Sequence, residues 1–214
     1  MSSITTSTAL RATAVTLGAL MLTAAGAAAA NAADPVGDDS SVDVSVEVTE
    51  LTEPGVLAMT VGGTSVSLAE SGSTELVRQF TGTLPTVTVT DTRTADEIPE
   101  GAAWYVLGSS TDFVGDAGQP AIGAGHLGWA PALIDGGESG LVAAGDEVDT
   151  VVDQDADPAN NVGLVDQELL ASAWNSGEIA TEGAWTANAG LFLRTESTVA
   201  AGNYTSTLTL SLFE

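Results

Sequence analysis

The residues in this chain whose types could do chemistry are one histidine and a run of closely spaced acids. His126 lies in the glycine-rich stretch Gly123-Ala124-Gly125-His126-Leu127-Gly128-Trp129. A Ser-His-Asp triad would have to use it, since the chain has no second histidine to act as base. No nucleophile-elbow sequence accompanies it. Nor do its glycines form a phosphate loop, because no lysine follows and no passage from strand to helix is evident. The expectation is a loop histidine, either exposed or holding a structural hydrogen bond.

The acids are more suggestive. Asp146, Glu147 and Asp149 lead into Asp153-Gln154-Asp155-Ala156-Asp157-Pro158-Ala159-Asn160-Asn161. Asp153, Asp155 and Asp157 alternate as in calcium loops, where oxygens at odd positions converge on one hard cation. Pro158 stands where an EF-hand needs glycine, and Leu164 where it needs the bidentate glutamate, so an EF-hand is excluded. A looser calcium site on Asp153, Asp155 and Asp157 is left open beside the favoured reading, a solvated acidic loop. No other cofactor is expected. Paired carboxylates carry no weight alone, since 29 acids ensure that some pair falls at glycosidase spacing.

Charge and composition remove whole classes. Asp and Glu number 29 against 4 basic residues, all arginine, for a net charge of −25. Such a surface repels nucleic-acid phosphates and anionic lipid headgroups alike. The absence of cysteine excludes disulfides, thiolate metal sites, cysteine catalysis and a lipidated cysteine anchor. One histidine cannot build a multi-histidine metal site.

Positioning these residues requires a folded, exported domain. Residues 1–32 read as a signal peptide: Arg11, an uncharged run from Ala12 to Ala25, and the small-x-small pattern Ala30-Asn31-Ala32, with cleavage expected before Ala33. An N-terminal membrane anchor is the less favoured reading of that run, which is short and alanine-rich. Arg11 is in the leader and no acid precedes Asp34, so cleavage deepens the charge by one. Residues 33–41 are an acidic linker, and 42–214 are of a size for one domain with a full core. No hydrophobic tail with a basic stop follows Tyr204–Leu212, so the mature protein is expected to be secreted or held to the cell wall noncovalently, without membrane insertion.

Alternation runs through that domain. Val42, Val44, Val46 and Val48 alternate with polar residues, the signature of a half-buried strand. Further strands are expected at Val56–Val61, Ser65–Leu68, Glu75–Thr81, Thr86–Thr92, Ala102–Leu107, Leu127–Ile134, Val148–Val152, Ala184–Arg194 and Tyr204–Leu212, with Gly and Pro turns between them. Pro131 suggests an edge or a bulge. Only Gln167–Trp174 looks helical, with Leu169, Leu170 and Ala173 at helical spacing. The fold class is therefore all-β: a two-sheet sandwich of about eight to ten antiparallel strands with one short helix.

Tryptophans supply the remaining candidates. Trp104 and Trp185 fall inside strands, where plugging a sandwich core is the ordinary role. Trp129 and Trp174 fit a loop-end or surface contact better. The ligand-facing candidates are Trp104, Trp129, Trp174 and Tyr204.

The segment from Ala201 to Leu212 resembles the closing motif of WxL-domain surface proteins: Tyr, three residues, Leu, Thr or Ile, Trp, any residue, Leu. Tyr204, Leu208, Thr209 and Leu212 match, with Leu210 in the tryptophan position. The family's earlier motif is similar to Trp104-Tyr105-Val106, with Val106 in place of leucine, following the strand Val87–Arg93. The resemblance spans roughly Leu84 to Glu214, with weaker lead-in strands over Val42–Phe80. It implies a noncatalytic module of a Gram-positive cell surface, associating with peptidoglycan or a partner surface protein. Scarce lysine fits a high-GC, actinobacterial source. The expected function is accordingly a secreted, noncatalytic, cell-envelope-associated binding protein. The alternatives are a structural subunit assembled by strand pairing and an extracellular glycoside hydrolase using a carboxylate pair.

Overall fold

A computed structural model describes residues 45–46, 53–153 and 160–214. The unit Glu50–Glu214 is built from antiparallel strands, twelve among the described residues, three of them only two residues long.

The larger sheet is organised on one long strand, β10 (Ala184–Glu196). Along one side it pairs in succession with β4 (Val87–Asp91) and β3 (Val77–Thr83), through Trp185↔Val89 and Phe192↔Thr81. Outside these lie β1 (Leu57–Val61) on β4 and β2 (Ala69–Glu70) on β3. On its other side β10 pairs with β7 (Leu127–Asp135). Pro131 stands opposite Ala189 in β7, and Trp129, two residues before it, turns its N–H away from β10 to Val148; by the same parity the missing N–H of Pro131 costs no bond to β10. Beyond Pro131 the register slips at Thr186/Ala187, so this strand is both an edge and bulged.

The second sheet has the order β12 (Leu208–Phe213), β5 (Trp104–Ser110), β9 (Glu168–Ala173), β8 (Val142–Ala144). A ribbon of β6 (Val114–Gly115) and β11 (Tyr204–Thr205) lies apart from it. The one α-helix among the described residues is the single turn α1 (Ser176–Ile179).

Side chains at alternate positions of the two sheets form one core. Trp104 of β5 meets Trp185 of β10 with ring centroids 5.5 Å apart. Gly108 leaves room for Trp129: a Cβ there would stand 2.5 Å from the indole Cη2. Burying the three indoles Trp104, Trp129 and Trp185 supplies much of the apolar area that holds the layers together.

Four expectations need correction. Gln167–Trp174 is not a helix but the strand β9. Val106 pairs with Ala171 and Leu107 with Leu169, so Leu170 is an extra residue at a bulge. That insertion breaks the two-residue period and leaves the buried residues at a spacing that imitates a helical stripe. Tyr204–Leu212 is not one strand but β11 and β12, broken at Ser206-Thr207, whose hydroxyl and amide bond Thr111 instead. Ser65–Leu68 carries no strand, the pairing residues being Ala69–Glu70, and Val148–Val152 contributes only bridges at Val148 and Asp149. The valine repeat at 42–48 lies outside the described residues except for Ser45 and Val46, which carry no strand.

Candidate binding face

The outer face of the four-stranded sheet follows from its alternation. Along β5, Trp104, Val106 and Gly108 are buried, which turns Tyr105, Leu107 and Ser109 outward. Along β12, Leu208, Leu210 and Leu212 pack against the core and Thr209, Ser211 and Phe213 turn outward. Register sets these residues in pairs: Tyr105↔Phe213, Leu107↔Ser211, Ser109↔Thr209. On the other flank Tyr105 faces Ser172 of β9, which faces Ala143 of β8. None of these outward residues is charged, in a chain with 29 acids.

At one end of this face the aromatic residues gather. The rings of Tyr105 and Phe213 stack with centroids 5.3 Å apart and planes 14° from parallel. They are 37% and 36% exposed. Trp174, the first residue after β9, follows the buried Ala173 and is 77% exposed, two residues beyond the outward Ser172. Phe213 and Tyr105 stand side by side on β12 and β5, with Ser172 next in that row on β9, and Trp174 follows just past the end of β9; the three exposed aromatic residues thus gather as a strip at this end of the sheet, about 10 Å from β12 to β9 at two strand spacings. The Tyr105 hydroxyl has no partner among the described residues.

An ion cluster fixes the end of the strip. Arg93, just past β4, donates from Nε and Nη2 to Asp91 at 2.8 and 2.7 Å, and grips Glu214 at 2.7 Å. Burial pushes the Asp91 carboxyl up, but the Arg93 guanidinium and backbone N–H outweigh it and hold that carboxyl below the usual range. The Asp91 and Glu214 carboxylates in turn raise the Arg93 pKa. Glu214 adjoins Phe213, so β12 is tied to the opposite sheet beside the aromatic stack.

The other candidates are placed elsewhere. Trp104 and Trp129 are buried, their indole N–H groups without an acceptor among the described residues, and offer no face to a ligand. Tyr204 packs partly against the core and donates its hydroxyl to the Ala200 carbonyl at 2.9 Å. Of the four, only Trp174 belongs to the strip. Tyr105 and Phe213 were missed, although the sequence carries their signal. Tyr105 alternates with the inward Trp104, and Phe213 is the next position after Thr209 and Ser211 on the polar face.

Asp153 turns inward. Its Oδ2 accepts from the Thr150 N–H and hydroxyl, both at 2.8 Å, and from Arg194 Nη1 at 2.7 Å. Burial opposes the charge, yet Arg194 and Thr150 together lower the carboxyl's pKa. With three donors on one oxygen, Asp153 is bound to an arginine rather than presented to a cation. Asp155 and Asp157 lie outside the described residues, among which no group of three or more potential ligands is placed to hold a metal. Arg194 also donates to Gln79 and lies over the Phe192 ring, so it staples the acidic loop to β10. Arg78 pairs with Glu70 at 2.8 Å, so all three described arginines are engaged by acids.

His126 ends the short turn Ala124–His126. Its Nδ1 is 2.7 Å from the Arg194 carbonyl, which can only accept, so Nδ1 carries the proton. No hydroxyl bonds it among the described residues. It borders a groove of about 250 Å3 with Ile122, Glu196 and Val199.

No family model, curated protein or solved structure matches this chain.

Proposed function

We propose that this is a secreted, noncatalytic, WxL-like protein of the cell envelope, which binds peptidoglycan or a partner surface protein through the outer face of its four-stranded sheet. The strip of Trp174, Tyr105 and Phe213 carries the reading, because these aromatic side chains are left exposed on a face whose outward strand residues carry no charge. The resemblance adds support: its two motifs fall on β5 and on β11–β12, and β5 and β12 are paired neighbours. Anionic wall polymers would repel the rest of the surface, so retention should rise with salt or calcium. Sedimentation of the protein with purified sacculi tests this. Retention supports wall binding, and none with or without calcium argues against it.

Strand pairing is the second reading. Among the described residues β12 has a strand partner on one side only, and Leu208–Phe213 contains no charge to guard that edge. Deleting Asn203–Glu214 separates the two. Leu208, Leu210 and Leu212 pack against the core, so the binding-face account expects unfolding, whereas a donated strand would leave a folded monomer.

A further inference from the structure

We infer that the strip takes an uncharged polysaccharide, in preference to a carboxylated or phosphorylated wall polymer or to a protein. The inference rests on the reading that this face is the binding surface and names the ligand's chemistry.

Charge selects first. Among the described residues the outer face holds no cation to meet a phosphate or carboxylate, and the nearby Arg93 is enclosed between Asp91 and Glu214. The surrounding surface is strongly negative and repels polyanions. Size selects next. A stable protein interface buries about 800 Å2 on each partner, and three aromatic side chains, at about 150–250 Å2 each even if fully covered, fall short of that. A chain of sugar rings is narrow enough to lie along the strip.

Chemistry then agrees. The apolar C–H faces of a pyranose pack on aromatic rings, and Trp174 is the most accessible ring here, with Tyr105 and Phe213 each keeping one face clear of their mutual stack. Sugar hydroxyls both donate and accept, as do Ser109, Ser172, Thr209 and Ser211 on the same face. The open Tyr105 hydroxyl adds a further donor and acceptor beside the stack.

The molecule contains its own reporter. Trp104, Trp129 and Trp185 are buried, so Trp174 is the tryptophan that quenchers reach. The experiment titrates the secreted protein with gluco-, manno- and N-acetylglucosamine hexasaccharides, and separately with polygalacturonate and poly(glycerol phosphate), following acrylamide quenching. At least one neutral hexasaccharide should protect Trp174, and neither polyanion should. Calorimetry should show at least tenfold weaker binding in Tyr105→Ala, with binding retained in Tyr105→Phe, and circular dichroism confirming that both fold. Protection by the polyanions, failure of every neutral sugar, or unchanged affinity in Tyr105→Ala would each overturn the inference. Trp174-dependent retention on sacculi with no neutral sugar bound would also overturn it, while leaving the face as the binding surface.

Discussion

Arg93 and Glu214, 121 residues apart in sequence, close a two-pronged ion pair that ties the end of β12 to the opposite sheet. The same guanidinium forks onto Asp91, whose side chain is 1% exposed. Removing the arginine strands that carboxylate in the interior.

Arg93→Ala should therefore destabilise the protein by about 3–5 kcal/mol, as expected for a buried pair broken on one side. Arg93→Lys should recover only part of the loss, because an ammonium cannot serve both carboxylates with parallel bonds. Urea denaturation of the two variants beside the parent measures both.

Acid should undo the same contacts. Asp91 and Asp153 have pKa values below those of the unfolded chain, because Arg93 and Arg194 outweigh the cost of burial. A depressed carboxyl stabilises the folded state above its unfolded pKa of about 3.9 and loses that contribution as pH falls through the folded value. Melting temperature should fall steeply below about pH 4. A melting series from pH 2 to pH 7 checks this, and Arg93→Ala should show a shallower fall.

Glu168 has the opposite sign. Burial, with Asp166 nearby, raises its pKa, so its ionised form costs stability at neutral pH. Glu168→Gln should raise the melting temperature at pH 7. The gain should shrink between pH 7 and pH 4, because the parent's carboxyl is increasingly protonated as pH falls and the buried charge is lost. Thermal scans at the two pH values distinguish this from a general packing gain, which would persist.

Close packing between the layers is tested at Gly108. A methyl there meets Trp129 at 2.5 Å and Leu210 at 3.1 Å, one contact from each side of the core. Gly108→Ala should cost about 1–3 kcal/mol by overpacking, measured as a shift in denaturation midpoint.

How much of this could be read in the sequence depends on where the two-residue period survives. It survives in β4 and in the first half of β10, where alternating burial follows alternating residue type, while β5 is apolar on both faces from Trp104 to Leu107; all three strands fall within a few residues of expectation. It fails at Leu170, since a bulge leaves no trace in composition and its shifted phase reads as a helix. The break at Ser206-Thr207 was hidden because the alternation continues through it, while the hydrogen bonds pass to Thr111. Residue type alone misplaces the site: Trp104 and Trp129 share Trp174's chemistry, yet parity along their strands sends them inward. The pairing of Tyr105 with Phe213 depends on a register joining residues more than a hundred apart, which one sequence does not contain.

The most direct test of the central claim compares retention on purified cell walls for the parent, Trp174→Ala and His126→Ala. Trp174 stands on the outer face of the four-stranded sheet, whereas His126 borders the groove beside β10. Loss of an exposed aromatic anchor costs about 2 kcal/mol or more where it carries binding. The account predicts retention reduced at least about tenfold by Trp174→Ala and unchanged by His126→Ala. Undiminished retention in Trp174→Ala, with loss in His126→Ala, would contradict it and move the binding surface to the groove.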